Sequence, residues 1–174
     1  MIQGRRLIRL AAAMLGCAVL AACATTQRIE AAGDVHALLI AIRDDNHAAF
    51  DAHVDRGALE RELRGRIVAA TDRAGQSDAA QGLGALLAGP LARLAGETLL
   101  RPKVFLAVAE YYGYSPDTPI PSQLVIAAAL RALPDGRVCA ARKHDGPCIL
   151  TFADEAGVWR LVSFDGDLNL LAAK

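Results

Sequence analysis

The chain has 174 residues, 53% of them hydrophobic, and its nineteen basic residues are balanced by nineteen acidic ones. That length allows one domain with a sizeable core, and a neutral chain without Lys/Arg blocks argues against nucleic acid as a partner. Aromatic residues make up only 5%, which suits closely packed helices with a small sheet, and no solenoid-period repeat or low-complexity tract is present.

Arg5, Arg6 and Arg9 form a positive segment ahead of an apolar run from Leu10 to Leu20. This is a secretory signal, too short for a membrane-spanning helix. Ala22-Cys23-Ala24 fits an ordinary signal-peptidase site, which would release a chain from Thr25. Leu20-Ala21-Ala22-Cys23 also resembles the lipobox of bacterial lipoproteins, in which Leu and two small residues precede a cysteine. The resemblance implies that the Cys23 sulfur takes a diacylglyceryl group, that the signal is cut before it, and that the new amine is acylated. The thioether needs a thiol there, and the peptidase needs small neighbours. Three acyl chains anchor durably where one binds only marginally. Ala24 in place of Asp favours the outer membrane, facing the periplasm. The expected organisation is a signal peptide over 1–22, a lipidated tether over 23–33 and one domain over 34–174. The leader carries three basic residues and no acidic ones, so the mature chain is mildly acidic.

In chain order, Asp34 is placed to cap a helix whose Val35, Leu38, Leu39 and Ile42 recur at helical spacing. Asp44-Asp45-Asn46 interrupts it, and a short segment with Phe50 and Val54 follows. Asp55 then caps a helix through about Arg73, with Leu59, Leu63, Ile67 and Ala70 on its buried face. Glu60–Arg64 and Glu62–Arg66 lie four apart on its wet face. The leucine-rich stretch 78–100 reads as a pair of core helices broken at Pro90, which lacks the N–H that the preceding turn needs. Gln81, Arg93 and Glu97 argue against a membrane span there. Pro102 suits the first turn of a further helix to about Tyr112. The proline-rich run 113–121 is a surface loop. Ser122 caps a segment over 123–133 for which helix and strand compete, because Leu124-Val125-Ile126 is branched.

The last forty residues change character. Runs 137–142, 148–153 and 158–164 are β-prone and separated by turn signals, which predicts a three-stranded antiparallel meander. Phe152, Trp159 and Leu161 would anchor it on the helices. Helices first and sheet last make the class α+β. With Cys17 discarded and Cys23 lipidated, Cys139 and Cys148 remain as a pair for one structural disulfide. Direct opposition across the hairpin requires a loop centred on Lys143-His144, whereas a tight Asp145-Gly146 turn sets Cys148 opposite Lys143.

Two stretches resemble a known family. Ile42-Arg43-Asp44-Asp45, Ala48-Ala49-Phe50, Val54-Asp55, Leu59 and Arg61-Glu62-Leu63 look like the opening of bacterial envelope proteins grouped as domain of unknown function 2939. Gly157-Val158-Trp159-Arg160-Leu161-Val162-Ser163-Phe164 resembles that family's last strands. The chain departs from the pattern at Arg56-Gly57 and in its two hairpin cysteines. The resemblance implies a fold and no activity.

No catalytic constellation stands out. Gly82-Leu83-Gly84 has no strand before it, so it fails as a dinucleotide loop, and no serine sits in a nucleophile elbow. His36, His47, His53 and His144 share no metal-ligand spacing, and no cofactor or metal is expected. The sequence therefore points to a non-enzymatic outer-membrane lipoprotein, a binding or accessory module with an envelope protein as partner and the membrane held through the anchor. The second reading is a small-molecule carrier or enzyme with an apolar pocket between helices and sheet. Arg93, Glu97 and Tyr111 are its candidate polar groups.

Overall fold

A computed structural model describes residues 24–73, 78–111, 113–115, 117–143 and 145–165. Cys17, Cys23 and His144 lie outside the described residues. Among the described residues six helices come first: α1 (24–43), α2 (His47–Ala52), α3 (Arg56–Arg73), α4 (Asp78–Leu99), α5 (Pro102–Tyr111) and α6 (Gln123–Ala129). Four strands follow, β1 (Leu130–Ala132), β2 (Val138–Ala141), β3 (Cys148–Glu155) and β4 (Val158–Phe164), in the order β1-β2-β3-β4 and antiparallel throughout. The class is α+β, and the sheet has four strands rather than the three expected. The extra strand comes from the segment where helix and strand competed. Ile126 and Ala127 face the core from α6, the Leu130 N–H bonds back to the Ile126 carbonyl, and the chain then turns directly into β1.

The first helix is longer than its apolar spacing suggested. The stretch expected as a tether is helical from residue 24, and Ala31 and Ala32 are fully buried. Asp34 therefore sits mid-helix instead of capping, and its carboxylate takes a different partner, accepting the Trp159 backbone N–H of β4 at 2.8 Å. That bond ties the first helix to the last strand. Asp34→Ala would strip a part-buried N–H of its acceptor, a loss of about 1–2 kcal/mol. Urea denaturation checks this, and an unchanged midpoint would remove Asp34 from the tie.

The next elements follow their local signals. Asn46 caps α2 by accepting the Ala49 N–H at 3.1 Å, and Asp55 caps α3 by accepting that of Ala58 at 3.0 Å. Between the two helices, His53-Val54-Asp55 runs as a short parallel addition to the edge of β4. Leu161 donates to the His53 carbonyl at 2.9 Å and accepts from Asp55 at 3.0 Å, which occupies part of an otherwise open sheet edge.

On the sheet, cross-strand pairing aligns Val138, Phe152 and Leu161 on one face. That face packs against Val35 and Leu38 of α1, Phe50 of α2, Leu59 of α3 and Ile126 of α6. Trp159 joins the same core at 5% exposure, as expected for an anchor residue. The β3–β4 turn uses Ala156 and Gly157 at φ 56° and 85°, the left-handed geometry of a tight hairpin.

Cys139 and Cys148 form a disulfide with Cα atoms 5.6 Å apart. The register is not the one that direct opposition demanded, since Cys139 lies opposite Thr151 and Cys148 opposite Ala141. Opposite Ala140 and Ala141, β3 carries one extra residue, Ile149, and this bulge bends β3 and turns a diagonal pair into a bridgeable one. Strand alternation puts the bridge on the sheet face turned away from the core, beneath Arg131 of β1. The Arg131 guanidinium donates to the Gly146 carbonyl at 3.1 Å and lies 3.3 and 3.5 Å from the two sulfurs.

Asp55 and Glu155 share a corner where α3 begins and β3 ends. Partial burial comes first, and the Asp55 carboxylate second, in holding the Glu155 carboxyl above its ordinary range. The folded state thus binds this proton more readily than the unfolded chain, so Glu155 favours folding at low pH and that contribution is lost as pH rises through its folded value. Glu155→Gln is expected to raise Tm at neutral pH, by an amount that vanishes on acidification. The lost Arg160 contact, 3.5 Å and partly exposed, offsets little. A pH-independent difference between the two proteins would refute the account.

Candidate ligand cavity

α3 and α4 form an antiparallel hairpin, seen in how their glycines are covered. Gly96 lies under Glu60 and Gly89 under Arg64. These two side chains, expected on the wet face, instead cover the glycine side of α4. Ala88 and Ala92 are fully buried, and a Cβ on Gly96 would meet the Glu60 Cγ at 2.9 Å. Small residues thus set the close approach of the helices. The larger ones are displaced outward, with Leu86 at 76%, Leu87 at 51%, Leu91 at 49% and Leu94 at 62% exposure. This corrects the expectation of a core helix pair. The helix also continues through Pro90, whose missing N–H falls on an exposed stretch, since both Pro90 and Leu86 face solvent. Among the described residues no helix is long and apolar enough to cross a membrane.

Where the hairpin meets α5 and the end of β4, packing leaves a cavity of about 80 Å3. Leu59 and Leu63 supply one wall, Ala95, Gly96 and Leu99 a second, and Val104, Phe105, Val108 and Phe164 the rest. Phe105 is the pivot, with its ring centroid 5.3 Å from that of Phe50 and 6.1 Å from that of Phe164. The polar residues here are Glu60, Glu62 and Arg66. Arg66 is committed elsewhere, donating to Glu62 at 2.6 Å, to the Phe164 carbonyl at 2.8 Å and to Asp165 at 3.3 Å. Glu62 also accepts the Phe164 N–H at 3.4 Å. Arg66 and Glu62 thus close β4 onto α3 and present almost no polar surface to the cavity. A dry apolar cavity of roughly 150 Å3 admits benzene, so this one holds an aliphatic group of a few carbons.

Two of the three expected pocket residues do not converge here. Arg93 and Glu97 pair with each other at 3.5 Å on the exposed side of α4, at 77% and 62% side-chain exposure, and neither lines the cavity. Tyr111 is the last residue of α5, and its side chain lies outside the described ones. The true lining was hidden in the sequence, because Leu59, Leu63 and Leu99 carry the same helical spacing as any core residue.

The histidines are dispersed. His36 Nδ1 lies 2.9 Å from the Pro121 carbonyl, His47 Nε2 lies 3.6 Å from Asp45, and His53 Nδ1 lies 3.5 Å from Asp34. Among the described residues, no three His, Cys, Asp or Glu side chains group as a metal site. No family model matches the chain, and no curated protein or solved structure matches it.

Proposed function

We propose that this chain is a non-catalytic binding module of the bacterial envelope that takes up a small apolar group in the cavity between α3, α4, α5 and β4. The observation that carries this reading is the cavity wall itself, aliphatic and aromatic, with Glu62 and Arg66 of its lining bonded to each other. Such a wall lacks a nucleophile or a free acid–base pair, so it supports binding and not turnover. The carrier reading and the binding-module reading of the sequence meet at this site.

In this proposal Cys23 carries the lipid, the domain faces the periplasm from the outer membrane, and an envelope protein is the macromolecular partner. The lipobox residues support the anchor, and the residues at both ends of the domain support kinship with domain of unknown function 2939. Incorporation of a labelled fatty acid that disappears with Cys23→Ala tests the anchor. n-Butane, an apolar probe of the few carbons that the cavity admits, tests the cavity. It is expected to raise Tm in the parent protein and not in Ala95→Phe, where the added ring fills the space. No shift in the parent protein would end the cavity reading.

A further inference from the structure

The cavity is one end of a longer apolar path. On α4, Leu87, Leu91, Ala95 and Leu99 fall four residues apart and form a single row along the helix. On α3, Leu59, Leu63 and Ile67 do the same. The cavity uses only the near ends of these rows, Leu59 and Leu63 on one side and Ala95 and Leu99 on the other. Because the helices are antiparallel, the continuation of both rows leads away from α5, toward Ile67 on α3 and toward Leu91 and Leu87 on α4. The chemistry stays aliphatic while the cover is lost, since Leu91 and Leu87 are half exposed and Leu94 beside them is 62% exposed.

We propose that a single straight acyl chain occupies this path, methyl end in the cavity and stem along the Leu91–Leu87 row, which makes the ligand a single-chain amphiphile such as a fatty acid. This rests on the reading of the cavity as an apolar site and adds the class of its ligand. Tail-first entry follows from the cavity's charges. Arg66 already bonds Glu62, Asp165 and the Phe164 carbonyl, so an anionic head group would meet the Glu62 carboxylate without a free cation to balance it. The cavity by itself is too small for a lipid. From Leu99 to Leu87, cavity end included, the row spans about 18 Å at 1.5 Å per residue, the reach of a chain on the order of a dozen carbons. A second copy is the other natural cover for such a face. The exposed parts of the four leucines amount to roughly 400 Å2, about half of the ~800 Å2 per partner that a stable dimer buries, whereas a narrow chain needs only the row.

The experiment is calorimetric titration of the whole chain carrying Cys23→Ala, so that no attached lipid competes, with straight-chain fatty acids of increasing length. Affinity is expected to climb about two- to fourfold per methylene until the row is filled. Leu91→Glu and, separately, Leu87→Glu are expected to lower long-chain affinity at least tenfold and to leave butane uptake by the cavity intact, which also reports that the variants are folded. Butane uptake with no gain from longer chains, or long-chain binding indifferent to both glutamates, overturns the acyl path while the cavity reading stands. No binding of butane or of any chain overturns both. A dimer that Leu91→Glu splits, with fatty-acid affinity unchanged, overturns the path by giving this face to a second copy.

Discussion

Phe50→Ala is expected to be the most damaging single truncation, destabilising the domain by about 3–5 kcal/mol. Phe50 is fully buried at the centre of the core cluster, and its ring meets the edge of Phe105. The loss has two parts, the transfer of the removed ring carbons and the cavity that the surrounding helices fail to close. Arg56, whose guanidinium stands 6.0 Å from the ring centroid, also loses the face it lies over. Against a total stability of about 5–15 kcal/mol this leaves a marginal protein. Urea denaturation should show a large fall in midpoint at similar slope, and Phe50→Leu a clearly smaller one. A cost below about 1 kcal/mol would mean that Phe50 is not where the helices meet the sheet.

Removing the disulfide is the second large effect. Cys139 and Cys148 are nine residues apart, and in the chain-entropy account closing so short a loop contributes roughly 2–3 kcal/mol. For a chain of this size that is a Tm drop of about 5–10 °C on adding reductant. The double variant Cys139→Ala/Cys148→Ala should melt near the reduced parent and ignore reductant altogether. Arg131 keeps its bond to the Gly146 carbonyl in either form, so the hairpin loosens without losing that tie. A parent whose reduction is confirmed by mass but whose melting is unchanged would show the bridge to be energetically idle.

Much of the framework was legible because local signals and tertiary demands agree. Asp55 caps α3, Phe152, Trp159 and Leu161 alternate toward the helices, and the two cysteines bridge. What escaped depends on neighbours. Asp34 looks like a cap by composition, yet its carboxylate is claimed by a strand 125 residues further on. Leu130 begins a strand only because β2 lies beside it, opposite Ala140. The leucines of α4 read as core because helical spacing reports that a face is apolar and not what covers it. The bulge that lets Cys139 reach Cys148 has no signature of its own, since its extra residue, Ile149, fits any strand. Arg93 and Glu97 were drawn to the pocket by their type, but their spacing of four suits an exposed pair on the helix surface.

The bond between Asp34 and the Trp159 N–H sets an order of events. Its partners are separated by nearly the whole domain, and the edge pairing of Val54 with Leu161 spans a similar distance. Contacts of such long range make folding slow and late, since the loop they close must be ordered before they return any stabilisation. A ribosome delivers α1 first, yet Ala31, Val35 and Leu38 have no sheet to bury against until β4 has been synthesised. Truncation ahead of residue 158 should therefore leave a chain that is collapsed but unlocked, and a helix made at the beginning is completed only at the end.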